Sequence, residues 1–292
     1  MGTITMHKYH GLGNDYLVLD PNQTHLALQE RHIERLCRRN FGVGADGILY
    51  GPVFKDGKIK VAIFNPDGSE AERSGNGVRI FAKYLKDASY VQEKQFVLTT
   101  RAGDVEIEFL DENAEYMRVN MGKADFMSTA IPVDGIEHEV INEPLMFHGT
   151  LYNTTCLSVG NPNCVIMTED VSGKAARALG PYVENASYFP NRMNMQLCKV
   201  EGRDKLRIEI YERGAGYTLA SGTGACAAAA TAYRLGLVDR KMTVEMPGGT
   251  LEDHDSRGWR YLYDGKCEES GGIYVGGEFL FVTFKMRLVR EI

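Results

Sequence analysis

Two serines in this chain are each followed directly by a Gly-x-Gly turn and preceded by a loop of polar groups. The first segment runs Asn65-Pro-Asp-Gly-Ser-Glu-Ala-Glu-Arg-Ser74-Gly75-Asn76-Gly77. The second runs Glu212-Arg-Gly-Ala-Gly-Tyr-Thr-Leu-Ala-Ser221-Gly222-Thr223-Gly224. Each leads into a stretch with helical spacing, so the Gly-x-Gly residues are read as first turns of helices. Helix starts leave backbone N–H groups without an intrahelical partner, and the helix dipole adds roughly half a positive charge there. Glycine lets a ligand approach that backbone closely. Two such ends aimed at one point would cradle a carboxylate. A carboxylate held this way can take up the charge that builds when an amino acid loses its α-proton. Ser74 and Ser221 would then stand on opposite faces of the ligand, one to remove a proton and one to return it. Serine is a weak base without an activating partner, and a thiol would serve better because its pKa falls at a helix start. Serine is also a favoured N-cap, and one side chain can fill both roles.

The elements that position these residues repeat. The serines lie 221 − 74 = 147 positions apart in a chain of 292. Gly13-Asn14-Asp15 returns as Gly160-Asn161-Pro162 (161 − 14 = 147), and Gly103 pairs with Gly249 (249 − 103 = 146). Turn chemistry alone does not hold register over that distance. A duplicated domain with a pseudo-twofold axis follows, and the length suits two domains. Residues 4–20 are predicted as strand, Gly turn, strand, and 29–39 as a helix with Ile33, Leu36 and Cys37 on one face. Strands at 47–50 and 59–64 lead into the first motif, a helix covers 78–85, and 96–109 and 115–121 alternate as strands. In the second half, strands near 157–167, 193–200 and 206–211 precede the second motif. An Ala-rich helix spans 225–235, with strands near 242–246, 258–263 and 279–288. The predicted class is α+β, each half a mostly antiparallel sheet wrapped around one long helix. The boundary falls near residue 128: one half is 1–127 plus about 280–292, the other 128–279.

The bulk composition excludes several functions. With 43% apolar and 25% charged residues the chain is an ordinary soluble globular protein. Its net charge is −6 with no basic block, so no nucleic-acid footprint is present. No apolar run has signal-peptide or membrane-span length, and no membrane association is expected. The six cysteines (Cys37, Cys156, Cys164, Cys198, Cys226, Cys267) show no paired spacing, which predicts free thiols in a reducing compartment, the cytoplasm. The seven histidines make no ligand set. No Schiff-base lysine is marked, and a two-sided cradle needs no electron sink, so no cofactor is expected.

The stretch Asn65–Arg79 resembles the signature of the diaminopimelate epimerase family, cofactor-independent amino-acid racemases and epimerases, with Ser74 where the family has Cys. Glu212–Gly224 resembles its second signature, with Ser221 replacing Cys. Gly11-Leu-Gly-Asn-Asp-Tyr16, Phe41-Gly-Val-Gly-Ala-Asp-Gly47, Val119-Asn-Met-Gly122 and Gly160-Asn-Pro162 are similar to further family motifs. The resemblance implies two barrel-like domains with the active site between them, a small amino-acid substrate and a homodimer. It implies that Ser74 and Ser221 occupy the two thiol positions and that Gly75, Asn76, Gly222 and Thr223 hold the α-carboxylate. By the same resemblance Glu212 meets the amino group, while Asn14, Asn65, Asn161, Asn194 and Arg213 hold the rest of the substrate. Three departures stand out. Serine at both thiol positions points to an inactivated form, or to a non-catalytic amino-acid-binding homologue. Asn163 stands where diaminopimelate enzymes carry His, and Tyr217 where they carry Glu. Both are expected among the substrate-binding residues, and they leave open a racemase of another amino acid such as histidine.

Overall fold

The structure is a computed structural model that describes residues 4–24, 28–255, 260–266, 268–275 and 282–285. Trp259 and Cys267 lie outside the described residues, as does most of the strand expected at 279–288. So do residues 280–292, expected to return to the first half, apart from Val282–Lys285.

The chain opens with β1 (Ile4–Gly11), β2 (Asn14–Leu19), α1 (Glu30–Cys37), β3 (Ile48–Lys55), β4 (Lys58–Phe64) and β5 (Glu70–Ala71). Then come α2 (Gly75–Asp87), β6 (Gln95–Thr100), β7 (Gly103–Phe109) and β8 (Tyr116–Lys123). After β9 (Glu143–Phe147) the order repeats: β10 (Thr150–Ser158), β11 (Pro162–Met167), α3 (Gly173–Glu184), β12 (Asn194–Gly202), β13 (Lys205–Glu212), β14 (Gly216–Thr218) and α4 (Gly222–Arg234). It closes with β15 (Lys241–Met246), β16 (Gly249–Asp255), β17 (Arg260–Lys266), β18 (Glu268–Val275) and β19 (Val282–Lys285).

The pairings repeat as well. β2 and β3 run parallel across α1, as β11 and β12 do across α3. β4 and β6 run parallel across α2, as β13 and β15 do across α4. The antiparallel pairs β3–β4 and β6–β7 have counterparts in β12–β13 and β15–β16. Helices α2 and α4 start 222 − 75 = 147 residues apart and end 234 − 87 = 147 apart. These are two sheet domains, each curled in a half barrel around a helix. They are joined by the β8–β17 pairing and by an isolated bridge between Asp125 and Ser158. β18 covers the edge of β1, much as β9 covers β10.

The composition of the central helices follows from that enclosure. A helix wrapped on all sides must be apolar all round, and α4 buries every residue from Gly222 to Ala232. Its Ala225 and Ala227–Ala230 have no exposed surface, and Cys226 is equally buried as a small core residue. α2 buries Val78, Ile80, Phe81, Tyr84 and Leu85. Both helices share one apolar cluster, so the two domains have a continuous core at their helix starts. Phe189 packs in the separate core under α3. Cys37, Cys156, Cys164, Cys198 and Cys226 are buried thiols.

Helix α3 was absent from the sequence expectations. Its stretch contains Gly173, Gly180 and Pro181, residues that lower helix propensity. Gly180 is there because α3 lies close on β13: a Cβ at that position would stand 2.2 Å from the Tyr211 ring.

Candidate active site

Both motif serines are helix N-caps. Ser74 Oγ accepts the Gly77 amide at 3.0 Å, and Ser221 Oγ accepts the Gly224 amide at 3.1 Å. Two asparagines on the preceding Gly turns hold the helix starts in place. Asn76 Nδ2 donates to Asn14 Oδ1 at 3.0 Å, and Asn161 Nδ2 donates to Thr223 Oγ1 at 3.1 Å. The pairs are equivalent under the duplication, since 161 − 14 = 147 and 223 − 76 = 147. The turns need glycine: Gly13 (φ +80°) and Gly160 (φ +94°) occupy the left-handed region. Asn76 Nδ2 also donates to the Ala220 carbonyl at 2.9 Å, so the first helix start reaches the residue just before Ser221. The two ends therefore face each other across the domain boundary.

The cavity beside them is lined by Tyr16, Asn65, Arg73, Ser74, Asn161, Asn194, Glu212 and Arg213, with Ala71 and Ala215. Its free volume is ≈ 30 Å³, enough for water and not for an amino acid. Ion pairs cross between the domains from Arg213, which lines the cavity, and from Arg192. Arg213 Nη2 bonds Glu72 Oε2, and Arg192 bridges Asp67 at 3.2 Å and Glu184 at 3.1 Å. A wider groove of ≈ 440 Å³, on the outer face of β6–β8 around Phe96, Glu108 and Arg118, contains none of these residues.

Of the residues singled out in the sequence, Ser74, Glu212, Asn65, Asn161, Asn194 and Arg213 share the cavity wall. Ser221 lies deeper, 3% exposed. Gly75, Asn76, Gly222 and Thr223 form the buried helix starts. Asn14 is buried behind Asn76 and donates to Asp46 Oδ2 at 2.8 Å. Two residues stand off the cavity. Asn163 is wholly buried and braces Asn161, its Nδ2 lying 2.9 Å from both the carbonyl and Oδ1 of that residue. Tyr217 faces away: its hydroxyl donates to Glu209 at 2.8 Å and the Arg177 guanidinium lies 3.6 Å over its ring. Strand alternation explains this, because the neighbouring Thr218 points inward and donates to Glu212 Oε2 at 2.7 Å.

The electrostatics differ on the two sides. Desolvation of the Glu212 carboxylate pushes its pKa up to about 7, against hydrogen bonds from Thr218 and Ser221 that lower it and a nearby Asp46 that raises it. The carboxylate is therefore poised as a base near neutrality. Burial and the neighbouring Asp15 charge raise Asp46 despite Arg39. Asp15 itself is held below the usual carboxylate range, because its bonds to Arg39 and Lys8 outweigh its own burial. Among the described residues, no group of three or more His, Cys, Asp or Glu converges on a metal-sized point.

The sequence matches the family model described as diaminopimelate epimerase over residues 6–127 and 155–262. The chain belongs to the diaminopimelate epimerase family. Diaminopimelate epimerase 2 of Nostoc sp. (strain PCC 7120) is 48% identical over 246 residues, which cover 84% of this chain and 86% of that one. The diaminopimelate epimerase of Synechocystis sp. (strain PCC 6803) is 39% identical, covering 85% and 90%. The fold is also that of a hydroxyproline epimerase from Agrobacterium vitis, crystallised with trans-4-hydroxy-L-proline. That structure aligns with a TM-score of 0.70 over 96% of this chain and 92% of its own, at 13% identity.

In this member of the diaminopimelate epimerase family, two polar cavity side chains escaped the sequence reading, Tyr16 and Arg73, as did Ala71 and Ala215. Arg73 directly precedes Ser74, and its Nη1 donates to the Met121 carbonyl at 2.9 Å while the guanidinium lies over Gly160. Its signal was adjacency to the motif serine. Tyr16 closes the Gly-Leu-Gly-Asn-Asp-Tyr stretch, but nothing local in that stretch shows which group its hydroxyl meets. Among the described residues no helix is long and apolar enough to cross a membrane.

The Glu212 shift has a consequence for stability. Below pH about 4.5 both folded and unfolded states hold the proton. Between about 4.5 and 7 only the folded state holds it, so stability falls as pH rises, and above 7 the full penalty is present. Glu212→Gln removes this titration. Relative to that variant, the parent should lose stability on the order of 2 kcal/mol between pH 4.5 and 8. Thermal midpoints measured across this range check it, and parallel curves would rule out a raised Glu212.

Proposed function

We propose that the site binds diaminopimelate and that its chemistry is inversion of the α-carbon (LL to meso) by two opposed acid/base side chains, without pyridoxal. The observation that carries this is the composition of one cavity between the domains. It combines a proton carrier (Ser74), a carboxylate poised near neutrality (Glu212) and an arginine (Arg213) whose present partner is a carboxylate. Arg213 suits the distal carboxylate of a diaminodicarboxylic acid, and Asn65, Asn161 and Asn194 suit its distal polar groups. The alternative of histidine as substrate rested on Asn163 and Tyr217, and neither lines the cavity. A free volume of ≈ 30 Å³ requires the domains to part for an amino acid to enter, with the division at residues 1–127 plus about 280–292 against 128–279. The reading extends to a cytoplasmic homodimer.

With serine at both thiol positions, the chain is proposed to hold its amino acid nearly unturned, as a Cys-to-Ser inactivated form. A non-catalytic amino-acid-binding homologue is the second reading, favoured by the same two serines. Calorimetric titration of the chain as it stands tests the binding reading. LL- or meso-diaminopimelate should bind at least about tenfold more tightly than histidine, proline or lysine. Binding of none of these, or tighter binding of histidine, would sink it.

A further inference from the structure

Tyr16 sits on β2 with its side chain inside the first domain, 6% exposed. Its ring lies over Gly47, where a Cβ would stand 2.6 Å from Tyr16 Cε1 and 2.4 Å from the Phe64 carbonyl. Strand packing thus fixes the ring, and its hydroxyl is held 3.1 Å from Ser74 Oγ. The oxygen of Ser74 already accepts the Gly77 amide. A hydroxyl oxygen has two lone pairs and one proton. The 3.1 Å separation allows either oxygen to donate; when the phenol donates to the second lone pair, the serine proton is left for the cavity.

At position 221 the arrangement is the opposite. Ser221 Oγ accepts the Gly224 amide and touches Thr223 Oγ1 at 3.4 Å, while Glu212 engages its hydroxyl as an acceptor. In its ionised form the Glu212 carboxylate accepts and cannot donate, so in that form it takes the proton of the Ser221 hydroxyl. One serine thus has a phenol beside it and the other a carboxylate.

We propose that Tyr16 is the positioning partner of the side chain at position 74, donating to it and stabilising its deprotonated form, as Glu212 partners position 221. The proposal rests on the two-faced reading of the site given above. It makes the faces unequal: in the resting molecule position 74 offers a proton to the ligand and position 221 accepts one. Burial, and then the negative charge of Glu212, keep the phenol protonated, consistent with its acting as donor.

The test uses the full chain carrying Ser74→Cys, with and without Tyr16→Phe, and a parallel pair carrying Ser221→Cys. The pH profile of iodoacetamide alkylation at each introduced thiol is followed by peptide mass spectrometry. Tyr16→Phe keeps the ring and removes one donor, so the midpoint at position 74 should rise by roughly half a pH unit or more. The midpoint at position 221 should stay where it is. Arg73, Glu212 and Arg213 share the cavity with position 74, and Asp46 and Cys37 face the phenol. All five are present in both members of each pair, so the comparison isolates the hydroxyl. An unmoved midpoint at 74, or equal shifts at both positions, would overturn the proposal. No substrate is needed. A selective shift in a chain that binds no amino acid would therefore support the role of Tyr16 while counting against the proposed function.

Discussion

Placing cysteine at both motif positions, Ser74→Cys with Ser221→Cys, raises α-proton exchange on diaminopimelate by at least about a thousand-fold over the parent chain. The estimate follows from what a positioned acid or base contributes, about 10²–10⁴ per proton transfer. A serine hydroxyl supplies little of that, because its proton is hard to remove even beside Glu212. A thiol at the same N-cap position gains from the helix start, where the Gly77 and Gly224 amides already point at the side-chain atom. Either substitution alone should give far less inversion than the pair, since each face then lacks its partner. Loss of the α-proton signal by NMR in deuterated water measures this. Exchange in the double variant no faster than in the parent would remove the catalytic reading and leave the binding one.

The second large effect concerns Arg213. Its side chain is 12% exposed and its guanidinium spans the domain boundary to Glu72, while Nη1 donates to the Asn191 carbonyl at 3.0 Å. Arg213→Met should weaken diaminopimelate binding by at least roughly 30-fold, ~2 kcal/mol, the lower end for truncating a desolvated charge pair. Binding of an amino acid without a distal carboxylate should change much less. Glu72→Gln has the opposite sign. Glu72 is 37% exposed, so its pair with Arg213 is worth under about 1 kcal/mol, and removing that competing carboxylate should tighten binding by ~3-fold or less. Titration calorimetry on the two variants checks both signs together.

Much of the fold was legible because the chain contains its own comparison. The 147-residue offset between Ser74 and Ser221 located both helix starts, and the Asn14–Asn76 and Asn161–Thr223 pairs obey it in space. The same offset could have found α3. α1 at Glu30–Cys37 projects onto residues 177–184, inside Gly173–Glu184, although Gly180 and Pro181 mask the helical signal. What the sequence concealed was orientation and distance. Tyr217 was placed with the ligand from its place in a motif, but β14 alternates, and Thr218 rather than Tyr217 faces Glu212. Asn163 acts one step removed, through Asn161. Tyr16 meets a partner 58 residues away across the sheet, a contact that no local pattern encodes.

The account depends on positions 74 and 221 addressing opposite faces of one α-carbon. The most direct measurement incubates Ser74→Cys/Ser221→Cys with LL-diaminopimelate in deuterated water and stops at low conversion, with product and recovered substrate analysed separately. Two side chains on opposite faces predict one deuterium at the inverted centre of the product and almost none in the recovered substrate. Deuterium appearing in recovered substrate with retained configuration, at a rate matching its appearance in product, would mean one group serving both steps and would contradict the account.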